Sequence, residues 1–170
     1  MSTTGSFIVY ICLWWIVFFS IFETDIIKNV DVLSGGFSAE HGGRVSAVVD
    51  IQTRDGNKKE LGGSVSLSPF LAKVVLEGPL ATFDEDSGNS ASFILTSKKS
   101  LINNTSPTLY EYALDDPEQG FPFDFRDTYG KVSINTSTGS NFNFFGFNFT
   151  DDYNNPALAN ISWTNNGGGL

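Results

Sequence analysis

From Leu61 onward the chain is a succession of strand-length segments in which apolar and polar residues alternate, separated by turn residues. In Gly63 to Leu67, Val65 and Leu67 share one face while Ser64 and Ser66 take the other. In Lys73 to Leu80, Val74, Leu76, Gly78 and Leu80 stand together, with Lys73, Val75 and Glu77 opposite. Ser90 to Ser97 forms a third segment around Phe93, Ile94 and Leu95, and Arg126 to Thr136 a fourth, setting Thr128, Gly130, Val132 and Ile134 against Tyr129, Lys131, Ser133 and Asn135. Asn141 to Thr150 is a phenylalanine-rich fifth, where adjacent Phe144 and Phe145 break the alternation and predict a bulge or a segment filled on both faces. Leu158 to Thr164 is the sixth, with Asn165 to Gly169 read as a terminal turn. A period of two marks a half-buried strand, and direct connections between such segments predict one antiparallel meander paired in sequence order.

The connections alternate in character. Ser68 and Pro69 make a tight turn, Ala81 to Asn89 a short acidic one, and Thr138 to Ser140 another turn. Lys98 to Asp124, polar and carrying Pro107, Pro117 and Pro122, reads as a long loop, and Asp151 to Pro156 as a shorter one. Upstream, Val30 to Leu33 and Ala47 to Thr53 alternate in the same way and predict a second, small sheet. Glu23 and Asp25 suit the start of a short helical turn before it. The glycine pairs Gly35, Gly36 and Gly42, Gly43 lie in the link between these two strands, where positive φ and close backbone approach are needed. Within Ala47 to Thr53, Asp50 stands on the face opposite Val49 and Ile51, which is expected to be wet. Thr53 to Glu60, T-R-D-G-N-K-K-E, is a polar linker to the strands beyond it, with Lys58 and Lys59 solvated.

The stretch from Ile26 to Gly56, with V-D-V-L-S-G-G-F-S-A-E-H-G-G-R at Val30 to Arg44 and V-V-D-I-Q-T-R-D-G at Val48 to Gly56, resembles the end of the plug domain of TonB-dependent outer-membrane receptors. Gly62 to Pro79, with G-G-S-V-S-L and K-V-V-L-E-G-P, looks like the first two barrel strands of Bacteroidota-type members, and the likeness persists more weakly to Trp163. The resemblance implies structural plug-motif residues Gly35, Gly36, Glu40, Gly42, Gly43 and Arg44 at a plug–barrel contact, Arg44 pairing with carboxylates of the barrel wall. It implies residence in the outer membrane of a Gram-negative cell, contact with outer-membrane lipid, and a transport role in which the complete receptor imports a scarce solute. The TonB complex would be a partner of the full-length protein, its contact segment being absent here. The ligand-binding residues are unknown, because extracellular loops set them.

Charge and composition narrow the chemistry. A net charge of -9 with 19 acidic against 10 basic residues is unsuited to a nucleic-acid partner. One cysteine, Cys12, excludes an intrachain disulfide. His41 with Glu40 makes no metal site, and the acidic clusters Asp84 to Asp86 and Asp115, Asp116, Glu118 lack calcium-loop spacing. With no catalytic constellation, neither an enzyme nor a cofactor is expected.

Phe7 to Phe22 is an apolar run shorter than the roughly 18–20 residues of a transmembrane helix, without the cationic flank of a signal peptide. Three readings stay open for it: plug interior behind a divergent start, a frameshifted or misassigned start, or a membrane anchor. The expected fold is all-β, with residues 1–56 as a divergent N-terminus and the end of a plug domain. Residues 57–170 are expected to be the start of an antiparallel transmembrane β-barrel of about six strands. Such barrels close with about 22 strands, so an open sheet of six would be a fragment, from a truncated gene or an incomplete gene model. The alternative is a non-transporting, membrane-anchored β-domain with a binding or structural role.

Overall fold

A computed structural model of the chain describes residues 6–9, 24–34, 47–81, 89–114, 120–155 and 159–170. It is an all-β protein of two antiparallel sheets. The smaller joins β1 (Ser6–Val9), β2 (Ile27–Ser34) and β3 (Ala47–Thr53) in the order β1-β3-β2. A 3-10 turn at Thr24–Ile26 leads into β2, as the acidic residues there suggested. The expected pairing of the two alternating segments is present, Val30 opposite Ile51 and Val32 opposite Val49. β1, from the start of the apolar run, adds a third strand in register Phe7 to Ile51, which the sequence did not announce.

The larger sheet comprises β4 (Gly62–Leu67), β5 (Leu71–Ala81), β6 (Ser90–Ser100), β7 (Phe123–Asn135), β8 (Asn141–Asn155) and β9 (Ala159–Gly169). These strands pair strictly in sequence order, with β4 and β9 at the edges. Ser68 closes the β4–β5 turn, its amide bonding Leu71 O at 2.9 Å and its hydroxyl capping the Leu71 amide at 3.1 Å. Several boundaries differ from expectation. The region from Lys98 to Asp124 is not all loop: β6 runs to Ser100, an α-helix, α1 (Ile102–Leu109), follows, and β7 begins at Phe123. Thr105 Oγ1 fastens α1 to Pro69 O at 2.6 Å, tying the helix to the β4–β5 turn. β8 continues through Asp151 to Asn155, because β7 supplies partners as far as Phe123 opposite Tyr153.

Adjacent Phe144 and Phe145 cause no bulge. β7 and β8 pair without a register shift from Phe123 to Asn135, so the segment is filled on both faces. The expected terminal turn at Asn165 to Gly169 is instead part of β9. There Gly167 and Gly169 lie opposite Phe147 and Phe145, whose rings occupy the space that a Cβ at either glycine would need. Glycine chosen for ring clearance reads in sequence like glycine chosen for a turn.

The two faces of the large sheet differ. One is covered: Lys73, Val75, Glu77, Ile94, Lys98, Tyr129, Lys131 and Ser133 point there, and Ile26 packs into the core made by Val75, Ile94 and Tyr129, flanked by Phe145 and Phe147. The other is bare, exposing Val65, Leu67, Val74, Leu76, Leu80, Leu95, Phe142 and Phe144. The alternation of Lys73 and Glu77 against Val74, Leu76 and Leu80 therefore holds as expected.

Candidate functional site

The covered face meets the small sheet through the segment that links them. Leaving β3, the chain places Thr53, Arg54, Asp55 and Gly56 flat against β5, β6 and β7. Arg54 continues the backbone ladder, its amide bonding Ile26 O at 2.8 Å. Its guanidinium grips Glu77 of β5 at two points, Nη1 to Oε2 at 2.5 Å and Nη2 to Oε1 at 3.1 Å, while Nε donates to Asp25 O at 2.7 Å. A forked guanidinium matched to a carboxylate is among the strongest charge-assisted geometries and fixes orientation as well as distance. Asn57 N adds a third donor to Glu77 at 3.1 Å. Lys73, on the same face of β5 as Glu77, carries its ammonium to Asp25 at 2.7 Å.

A second cluster forms on β7. Asp55 accepts from Lys131 Nζ at 2.9 Å and from Ser133 Oγ at 2.8 Å. Lys131 also donates to Thr53 O at 3.1 Å, and the Thr53 and Tyr129 hydroxyls bond each other at 2.9 Å. The Lys131 side chain is only 2% exposed, Asp55 37%, so the ammonium is the buried member of the pair. Burial pushes the Asp55 carboxyl up, but hydrogen bonds from Lys131 and Ser133, with the charges of Lys131 and Lys58, outweigh it and hold the group below the ordinary carboxylate range. The hydrogen bond from Arg54 to Glu77 raises the arginine further. Between the two clusters Gly56 lies on the backbone of β6, where a Cβ would come 1.9 Å from Phe93 O. Small Ser92 and Ser133 on the same face leave room for that approach.

These contacts are signed in pairs: cation on the linker to anion on β5, anion on the linker to cation on β7. Register is thereby specified, since a slip that brought Asp55 toward Glu77 would set like charges together. The arrangement holds one sheet to the other. Among the described residues no group of three or more His, Cys, Asp or Glu is placed to hold a metal.

The expected plug-motif residues Gly35, Gly36, Glu40, Gly42, Gly43 and Arg44 lie outside the described residues, as do His41, Cys12 and the acidic clusters. An arginine gripping a carboxylate on the neighbouring sheet is present, at Arg54. The sequence places Arg54 and Asp55 in a polar linker without assigning them partners. The missed signal was complementarity: T-R-D-G presents plus then minus, and the polar faces of β5 and β7 present Glu77 and Lys131. Asp50 stands opposite Ile51 as expected, yet it is not wholly wet, because its Oδ1 is buried with no hydrogen-bond partner.

Further along the covered face, Lys98 and Asp127 form a cross-strand ion pair at 3.0 Å, with Lys98 Nζ 5.4 Å from the Phe125 ring centre. Phe147 and Phe149 stack at 4.9 Å beside them. The phenylalanines of β8 are thus divided, Phe142 and Phe144 to the bare face and the other three to the covered face. No protein-family model, curated protein or solved structure matches the chain.

Proposed function

We propose that this chain is the end of the plug domain and the first six barrel strands of a TonB-dependent outer-membrane receptor, which when complete binds and imports a scarce solute. The observation that carries the reading is the drift of the apolar residues across the bare face. Their centre moves two residues toward the linker end at each of the first three strand-to-strand steps, from Val65 and Leu67 through Val74 and Leu76 and Phe93 and Leu95 to Val132 and Ile134, and not at the last, to Phe142 and Phe144. Six residues along a strand are about 20 Å, and four strand spacings about 19 Å, so a level band crosses the strands at about 45°. Outer-membrane barrels tilt their strands by about 35–45° to the bilayer normal. An apolar band level with a bilayer on such a barrel would show this diagonal.

Leu80 apart, the bare face outside the band is polar: Asn148 and Thr150 of β8 stand beside Asn166 and Thr164 of β9. The covered face carries the lysines, glutamate, serines and tyrosine that a barrel lumen carries. In this reading the small sheet stands in the pore and the Arg54–Glu77 and Asp55–Lys131 contacts tie it to the wall, until the TonB complex draws on the plug. The outward face meets outer-membrane lipid. Among the described residues no helix is long and apolar enough to cross a membrane.

The test labels single cysteines, in a Cys12→Ser background, with an environment-sensitive dye after folding into vesicles that contain lipids brominated in the acyl chain. Labels at Val74, Leu95 and Val132 are expected to be quenched, and labels at Asn148 and Thr164 to stay bright. Equal quenching at both sets would refute the band.

A further inference from the structure

Of the five basic residues in the large sheet, three point to the covered face and each is neutralised: Lys73 by Asp25, Lys98 by Asp127, Lys131 by Asp55. The other two, Lys99 and Arg126, point to the bare face, both exposed, and are direct cross-strand partners of each other. Among the described residues neither side chain has an ion pair or hydrogen bond. Like charges directly opposite on one face of a sheet are destabilising, so the pairing wants a shared anion.

Their position says which. Along β6 and β7 the bare face runs from apolar Phe93, Leu95 and Val132, through Ser97 opposite Thr128, to Lys99 opposite Arg126. Asp124 and Asp152 come one row further out, opposite each other. Lys99 lies four residues beyond Leu95, about 14 Å along β6, and Arg126 six beyond Val132, about 20 Å along β7. On strands inclined at about 45° that is about 10 Å and about 14 Å above the last apolar residue of each strand. A bilayer's headgroup layer occupies about 5–8 Å beyond the hydrocarbon, and long cationic side chains reach back toward it along their stems. We propose that Lys99 and Arg126 bind the phosphate of an anionic lipid headgroup at the rim of the outer leaflet. Guanidinium and ammonium together bracket a phosphate, the first with a fork of donors and the second as a point charge. The proposal rests on the membrane reading above.

The test folds the full chain into vesicles of phosphatidylcholine alone or with a quarter phosphatidylglycerol and measures partitioning by flotation at low and high salt. The wild type is compared with Lys99→Gln/Arg126→Gln, and with Lys28→Gln/Lys59→Gln, which removes the same charge from two exposed sites at the linker end. The expected result is that the Lys99/Arg126 variant partitions into neutral vesicles like the wild type but loses about 10- to 30-fold of the preference for anionic ones, a loss erased by high salt. The Lys28/Lys59 variant keeps the preference. A Lys99/Arg126 variant within twofold of wild type overturns the proposal. So does a change in oligomeric state with an unchanged lipid preference, which would give the pair to a second copy of the chain. Failure of the wild type to enter neutral vesicles, with anionic binding still lost in the Lys99/Arg126 variant, upholds the headgroup site and sinks the spanning barrel. Failure in both lipids sinks both.

Discussion

Replacing Asp55 by Asn takes the counter-charge from an ammonium that has almost no access to water. Lys131 Nζ would keep Thr53 O at 3.1 Å, and a carboxamide oxygen in place of the carboxylate it now meets at 2.9 Å. Breaking a fully buried ion pair costs about 3–5 kcal/mol, most of it the stranded charge. Asp55 is 37% exposed, so water screens one side of the pair, and the discounted cost is about 1.5–2.5 kcal/mol. Since the linker carries the contact, the loss falls on local opening rather than on the large sheet. The readout is amide hydrogen exchange at Arg54 and Asn57, whose N–H groups bond Ile26 O and Glu77. Exchange there is expected to rise about 10- to 60-fold, a factor of ten for each 1.4 kcal/mol. The amide of Ile94 in β6 should not change. The decisive arm is Asp55→Asn/Lys131→Met, which removes the stranded charge and should recover most of the protection. A rise under threefold in the single variant, or a double variant as fast as the single, would refute the argument that an uncompensated ammonium sets the cost.

Gly56→Ala puts a methyl 1.9 Å from Phe93 O, a backbone atom held in the sheet, so the linker must lift; a loss of about 1–3 kcal/mol at the same two amides is expected, and protection equal to wild type would show the approach to be loose. The folded Asp55 carboxyl lies below its ordinary value of about 3.9, so its stabilisation is fully present above that pH and is lost as pH falls through the folded value. Exchange at Arg54 and Asn57, corrected for intrinsic rate, should be flat from pH 8 to 5 and accelerate below about 4, the gap between wild type and Asp55→Asn closing in acid; a gap that widens there contradicts the sign. Without detergent the chain should aggregate, because Val65, Leu67, Val74 and Leu76 stand exposed on the bare face beside half-buried Val132 and Ile134, each forgoing up to about 1.5–3 kcal/mol of burial, and β4 and β9 leave open edges. Size-exclusion chromatography with thermal circular dichroism checks this, and a monodisperse monomer that unfolds cooperatively would promote the membrane-anchored β-domain reading.

The strands that alternation made legible are those whose two faces meet different surroundings. β5 and β7 are the clearest: Lys73, Val75 and Glu77, and Tyr129, Lys131 and Ser133, face the linker, while Val74, Leu76, Val132 and Ile134 face away from it. Where both faces are alike, the pattern fades. The outer end of β8 carries Asp151 and Asn155 on one face and Asp152 and Asn154 on the other, and its extent is set by the ladders of the partner strands instead of its own composition. β1 was hidden for the opposite reason, since an uninterrupted apolar run has no period to read. α1 offered little periodic signal, with the sequence I-N-N-T-S-P-T-L, Pro107 within it and no acidic residue in its first turn, and it is held by Thr105 and Ser106 to neighbouring backbone rather than by an apolar face.

The charged seam was hidden in a different way. Each half reads as ordinary on its own: a polar linker, and the polar faces of two strands. Only the pairing of signs carries information, and it needs the fold to bring residues 54 and 77, or 55 and 131, within reach. Once the alternation is accepted, the signs do discriminate. Lys73 and Glu77 share the covered face of β5 on either side of Val75, so the linker meets a cation and an anion in fixed order, and β7 adds a second cation at Lys131. Asp25, Arg54 and Asp55 meet Lys73, Glu77 and Lys131 with opposite signs throughout. Asp25, in the turn before β2, and Arg54 and Asp55, on the linker, present minus, plus and minus, the sign order that answers these three partners. The same reasoning separates Lys99 and Arg126 from the rest: cations on the covered face are ion-paired, whereas among the described residues this pair faces outward with no ion pair, Asp124 and Asp152 standing one row further out. Among the described residues the inward cations are neutralised one by one, and these two outward ones stand side by side beyond an apolar band, which is the placement that motivates the headgroup proposal.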